Sequence, residues 1–233
     1  MNSSVLRIIT YVAFLFVTCE ATGQRSVDVA ISQKSGLTTA VFRTSSGNIE
    51  VNLPGDIRRN DRISGTVIGE PADQKQQRKG SNALKGYVVE VQDQKSTVGE
   101  GLGKWMLPVV SGSFLRLVLR DPSGKEAAFA EIPVGENSLQ GNSEIFPQTF
   151  DIPDYVLAGS AISISGNFDG DLTNSSLSFN EKKLDALAES PRQTLFSTGE
   201  TEPGSGRLEL EENGTRESKM INILELNLSA GKT

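Results

Sequence analysis

Side-chain oxygens at alternate positions, and carboxylates on one strand face, are the groups in this chain that could do chemistry. Asn167, Asp169, Asp171 and Thr173 place an oxygen donor at every second position, next to Gly166 and Gly170. Oxygen donors spaced in this way can wrap a hard cation such as Ca²⁺. The EF-hand pattern is not met, because no Gly stands at the sixth position and no Glu at the twelfth. A Gly-Asp turn between strands accounts for the same residues, and a turn without metal is the expectation. Glu209, Glu211 and Glu212 form the second group, with Glu209 and Glu211 on one face of a strand. A glycosidase needs two carboxylates across a cleft, one of raised pKa. No aromatic residue lies near these three to form a sugar platform, so a solvated acidic face is expected. Ser229 and Lys232 form the chain's Ser-x-x-Lys, too near the C-terminus for the downstream partner motifs of a Ser-Lys enzyme. Ser218 and Lys219 are adjacent and must point to opposite faces of a strand. No catalytic, cofactor-binding or metal-ligating residue is therefore assigned.

Two absences narrow the chemistry further. The chain has no histidine and a single cysteine, Cys19. A Ser-His-Asp or Cys-His triad cannot be assembled, nor a zinc site built on His or Cys. The formal charge of −6 argues against nucleic-acid binding, which needs a basic surface. Trp105, the one tryptophan, is expected to fill a core; exposed, it would be a stacking platform for a sugar or a partner. Asn174, Asn213 and Asn227 each begin an Asn-x-Ser/Thr sequon.

The elements that must position these groups are strands. Across 233 residues the apolar period is two, and 23 glycines supply turns. Val27, Val29 and Ile31 alternate with polar residues. Thr38 to Arg43 and Asn48 to Leu53 flank Thr44-Ser45-Ser46-Gly47, a hairpin signal. Further strands are expected at Ile63 to Ile68, Gly86 to Val91, Phe114 to Leu119, Ala127 to Ile132, Gln148 to Ile152 and Ala161 to Ser165. Others follow at Leu177 to Phe179, Thr194 to Ser197, Arg207 to Leu210 and Met220 to Ser229. In the last of these, Leu224, Leu226 and Leu228 are expected to face a core together. Asp121-Pro122-Ser123-Gly124 reads as a tight turn. Asp73 to Asn82, with Lys75, Arg78 and Lys79, reads as a long exposed loop. Lys182 to Ala188 is the one short helix candidate.

The N-terminus reads as a targeting segment. Met1 to Arg7 is polar with one positive charge, and Ile8 to Val17 is apolar apart from Thr10. That run has the length of a signal-peptide core and is too short to span a bilayer. Small residues at Ala21 and Gly23 favour cleavage before Gln24. A retained anchor, or lipid on Cys19, are the alternatives. A chain starting at Gln24 would contain no cysteine and could form no disulfide.

A faint internal repeat and a charge step suggest two modules. Leu53-Pro54 precedes Ile63-Ser64-Gly65, as Ile152-Pro153 precedes Ile164-Ser165-Gly166. Residues 24–110 hold 12 basic and 9 acidic side chains, against 10 and 19 in 111–233. The expected division is a signal peptide at 1–23, one β-sandwich at 24–110 and a second at 111–233, with the boundary near Val110-Ser111-Gly112.

The run Leu157-Ala158-Gly159-Ser160-Ala161-Ile162-Ser163-Ile164-Ser165-Gly166-Asn167-Phe168-Asp169-Gly170-Asp171 resembles the opening of IPT/TIG-type immunoglobulin-like modules. Asn174 to Asn180 is similar to the strand and turn that follow it there, and Asp185 to Arg192 to segments of multi-module bacterial surface proteins. The resemblance implies an all-β fold of immunoglobulin-like sandwiches that serve as spacers, adhesion elements or carbohydrate-facing accessories. It carries over no catalytic residue. The expectation is an exported, non-enzymatic structural, spacer or adhesion protein, periplasmic, cell-surface or extracellular. Its partner would be a protein or polysaccharide surface, with no nucleic acid and no membrane helix in the mature chain. A carbohydrate-binding accessory protein is the alternative. The intact mass of the exported chain should correspond to a start within two residues of Gln24. A mass that retains Cys19 with added lipid would overturn soluble export.

Overall fold

The computed structural model describes residues 27–72, 84–98, 103–136 and 150–225. The leader, the 73–82 loop, Asn227, Leu226, Leu228, Ser229 and Lys232 lie outside them. The described chain is all-β. Its first strands are β1 (Asp28–Lys34), β2 (Leu37–Thr44), β3 (Gly47–Pro54), β4 (Ile63–Pro71), β5 (Val88–Val91), β6 (Gln94–Thr97), β7 (Gly103–Leu107), β8 (Phe114–Arg120) and β9 (Glu126–Pro133). There follow β10 (Tyr155–Leu157), β11 (Ala161–Ser165), β12 (Ser175–Phe179), β13 (Lys182–Leu184), β14 (Ala186–Ser190), β15 (Gln193–Ser197), β16 (Gly204–Glu212) and β17 (Thr215–Leu224).

The period-two pattern decides which side of each strand is buried. Ala40 and Phe42 of β2, Ile49, Val51 and Leu53 of β3, and Leu115, Leu117 and Leu119 of β8 all turn inward. They join one hydrophobic core between two sheets, one holding β1-β2-β3-β4 with β7, the other ordered β6-β5-β8-β9. A second core takes Ile162 and Ile164 of β11 and Phe196 of β15 from one side. From the other it takes Leu177, Leu208, Leu210, Ile221 and Ile223, which lie in the sheet β10-β17-β16-β12-β13. Each fully buried Leu, Ile or Phe contributes roughly 1.5–3 kcal/mol, so both cores rest on this alternation.

The division differs from the one expected. β8 and β9 lie after Gly112 yet pack in the first core, through Leu115, Leu117, Leu119, Ala130 and Ile132. The charge step near residue 110 therefore falls within the first core, in the connection between β7 and β8, because surface charge does not follow the core. The repeat also fails to mark equivalent places. Ile63-Ser64-Gly65 begins a strand with neighbours on both edges, whereas Ile164 and Ser165 lie in β11, at the far end of the same sheet. Residues 182–188 form strand β13 and the start of β14, not a helix, because Lys182 to Leu184 pair with Phe179 to Leu177. Within 148–152, the described residues show a single bridge, Asp151 to Ser165. The last strand is phased opposite to expectation. Ile221 and Ile223 face the core, while Leu224 is 44% exposed.

The two cores are joined through β4. Residues Thr66 to Pro71 pair with β3, but β3 ends at Pro54, and β14 takes over the same edge at Ser64 and Gly65. On its other edge, Gly65 lies opposite Trp105 of β7. One sheet thus runs from β1 to β11 through both cores. A Cβ on Gly65 would lie 2.1 Å from the Asn52 carbonyl oxygen and 2.5 Å from the Trp105 ring. Gly65→Ala is therefore expected to destabilise the chain by about 1–3 kcal/mol, the usual range for overpacking. Denaturant unfolding followed by Trp105 fluorescence measures this. An unchanged midpoint would show that β4 is not pinned here.

Candidate functional site

Where β14 meets β4, the chain gathers three carboxylates from three separate segments. β14 supplies Glu189, paired with Ser64 of β4 on one side and with Thr194 of β15 on the other. With neighbours on both edges and packing on both faces, this strand leaves the Glu189 side chain 0% exposed. Glu212 ends β16 directly opposite Ser175, which begins β12. Leu208 and Leu210 point inward on β16, and Glu212 follows them in the same phase into the interior. Asp169 arrives on the loop between β11 and β12. That loop is seated against β4 by Gly170, at φ +78°, whose Cβ position is 2.1 Å from the Arg62 carbonyl oxygen. The Leu172 amide also donates to Ser64 Oγ at 2.9 Å.

Asp169, Glu189 and Glu212 each present an oxygen within 4.8 Å of the others. The Ser175 hydroxyl touches both Glu189 Oε2 and Glu212 Oε2. A hydroxyl has one proton to donate, so it can serve only one ionised carboxylate. The other contact needs a proton or a cation on the carboxyl side. Asn174 Nδ2 donates to Asp169 Oδ2 at 2.6 Å, and Asn213 Nδ2 to Glu212 Oε1 at 3.1 Å. Burial pushes the Glu189 carboxyl up to about 7; the Ser175 hydroxyl resists this, and the Glu212 and Asp169 charges add to it. Glu212 is raised as well, first by burial, against the pull of Ser175 and with the push of Asp169. Such a group can share a proton or hold a cation. Acid–base work on an external substrate would need contact with it, and Glu189 offers none.

The sequence-adjacent oxygen set does not assemble. Of Asn167, Asp169, Asp171 and Thr173, only Asp169 enters the cluster. Asp171 pairs with Arg62 at 2.8 Å. Burial works against its charge, but the Thr173 hydrogen bonds and Arg62 hold its pKa below the usual carboxylate value. Glu209 and Glu211 face outward and pair with Arg207 and Arg216, each at 3.0 Å. Lys219 pairs with Asp154 at 2.9 Å, away from Ser218. Trp105 is 5% exposed and fills the first core, as expected. Glu189 was missed by the sequence reading. Its signal is a Glu directly after the apolar run Ala186-Leu187-Ala188, a position where a charge must find a partner.

The rest of the junction is polar and specific. Thr39 Oγ1 donates to Asn52 Oδ1, Asn52 Nδ2 to Thr66 Oγ1, and Thr66 Oγ1 to the Leu187 carbonyl, at 3.1, 3.2 and 3.0 Å. This relay crosses β2, β3, β4 and β14. Arg192 reaches Asp61 and Asp56 across the same seam.

No protein-family model matches the chain, and no curated protein matches it. Among solved structures it is similar to the Bacteroides ovatus mixed-linkage glucan utilization locus SGBP-B in complex with a mixed-linkage heptasaccharide. That overlap has 13% identity, 97% of this chain, 70% of that one and a TM-score of 0.28. The plexin A4 full extracellular region overlaps with 12% identity over 72% of this chain and a TM-score of 0.27, and this chain spans 17% of its length. Titin Ig tandem domains overlap with 9% identity, 73% of this chain, 90% of that one and a TM-score of 0.22. Overlaps at such TM-scores carry no argument about what this chain binds or does.

The cluster makes stability depend on pH in metal-free buffer. The Glu189 carboxyl faces Glu212 of β16, Asp169 of the loop and the Thr194 hydroxyl of β15, while Arg62 and Lys104 act on neighbouring Asp171. Its folded pKa lies above its unfolded one, so the folded state holds the extra proton between about pH 4.5 and 7. Stability from this group is fully present below that window and lost as pH rises through it, by about 3 kcal/mol. Glu189→Gln should flatten the profile over that range in EDTA. Parallel profiles for the two proteins would mean that Glu189 titrates normally.

Proposed function

We propose that this chain is an exported, non-enzymatic protein of the cell surface or extracellular space, acting as a rigid spacer or adhesion element. The observation that carries this reading is β4, which pairs with β3 above and β14 below, so that one sheet enters both cores. A flexible linker would let the two units swing. A shared strand with a buried polar relay holds them at one angle and transmits force between them. The apolar leader supports export, and no helix among the described residues is long and apolar enough to cross a membrane. The second unit is assigned to the IPT/TIG type, on the Gly159 to Phe168 pattern around β11.

Carbohydrate binding is the second reading, favoured by Tyr155, which is 63% exposed on β10 beside Met220 and Leu224 of β17. Protease shaving of intact source cells, with small-angle scattering of the released chain, tests the first reading. The expected result is release from the surface and one maximum dimension, unchanged between low and high salt. Recovery only from the cell interior, or a dimension that spreads with salt, would sink it. Selective binding on a glycan array, lost in Tyr155→Ala, would put the second reading in its place.

A further inference from the structure

We propose that Asp169, Glu189 and Glu212, with the Ser175 hydroxyl, form a calcium site that clamps the junction between the two cores. The three carboxylates bring one oxygen each to within 4.8 Å of one another. Among the described residues, no Lys or Arg forms an ion pair with any of the three; the nearby Arg62 pairs with Asp171 instead. A second observation is independent of the acidic cluster. Thr194, 0% exposed, stands directly across β14/β15 from Glu189, close enough for its hydroxyl to hold the Glu189 pKa down, yet its Oγ1 completes no hydrogen bond of good geometry. Glu189 Oε1, buried in the same place, has none either. Buried polar atoms are nearly always satisfied, and a carboxylate oxygen left without a full partner beside two further carboxylates marks a place for a donor or a cation.

The donor set selects the ion. All the ligands are hard oxygens, with no imidazole or thiolate, which disfavours zinc and copper. Three carboxylates, which bind through one or two oxygens each, together with a hydroxyl suit the six to eight ligands of Ca²⁺. Magnesium demands a tighter octahedron and keeps more of its water, which a buried seam would have to admit. A divalent ion would also resolve the proton count at Ser175, because both glutamates could then be ionised while its single hydrogen serves one of them.

The position gives the ion a consequence. Glu189 is hydrogen-bonded through its strand to Ser64 of β4, and Asp169 sits on the loop that Ser64 and Arg62 hold. An ion between them would tie the second core's two sheets and its loop to the strand shared with the first core.

The test uses the purified full-length chain, stripped with EDTA and titrated with CaCl₂ by calorimetry, with thermal melts alongside. One equivalent of Ca²⁺ should bind, and millimolar calcium should raise the Tm by several degrees, because the ion binds only the folded state. Mg²⁺ should bind more weakly. Asp169→Asn, at the partly exposed loop, should weaken binding at least ~10-fold, the cost of losing one charged contact of about 1.4 kcal/mol. Glu189→Gln should abolish it, and Glu209→Gln, on the outer face, should bind as the parent does. No binding heat and no Tm rise in the parent chain would overturn the proposal. So would an equal rise in Asp169→Asn, which decides the matter even where Glu189→Gln does not fold.

Discussion

A β-strand has two edges, and the molecule depends on how β4 divides one of them. Proline cannot donate to a ladder, and β3 leaves the edge of β4 at Leu53-Pro54. The freed backbone groups at Ser64 and Gly65 must still be paired or solvated. β14 from the far half of the chain meets that demand, and brings β15 and β11 with it. The hydrophobic cores form on either side of this handover. The small cluster of Leu187, Ala188 and Leu195, with Leu37 and Ala161 against it, closes the gap between them.

Close backbone approach sets the residues at the handover. Three strands meet at Gly65, and the Trp105 ring lies over the space a side chain would fill. Gly170 allows the loop to rest on the Arg62 carbonyl. Polar groups then fix the register. The Thr39-Asn52-Thr66-Leu187 relay is fully donor-to-acceptor, so a slip by one residue would leave buried groups unpaired. Arg192 against Asp61 adds little certain stability, since desolvation offsets much of the attraction in a buried pair. Its contribution is orientation.

The same handover creates the electrostatic problem at Glu189. A central strand covered on both faces has no route to water for a charged side chain. Its pKa rises because burial disfavours the charged form, and the two acidic neighbours compound this. Asp171 shows the contrast. It lies two residues from Asp169 in the same loop, but it has Arg62 and the Thr173 hydrogen bonds, and it stays ionised. Position relative to a partner, not residue type, separates the two.

The sequence by itself determined the strand class and most strand positions, because alternation is a local property. Ala161 to Ser165 matches β11, Asn48 to Leu53 lies within β3, and Phe114 to Leu119 within β8. The Asp121-Pro122-Ser123-Gly124 turn was also legible, with Asp121 Oδ1 accepting from the Ser123 and Lys125 amides. It missed the polar strand β6, and it placed the last strand in the wrong phase, because Leu224 and Ile223 are equally apolar. Pairing with β16 on one edge and with Val156 and Leu157 of β10 on the other decides which one faces inward. For the site, the sequence offered Asp169 and Glu212 but in the wrong company, since it grouped them with chain neighbours. Glu189 joins them across 20 residues on one side and 23 on the other. Tertiary structure alone decided that meeting, because strand pairing acts between segments whose separation leaves no trace in local spacing.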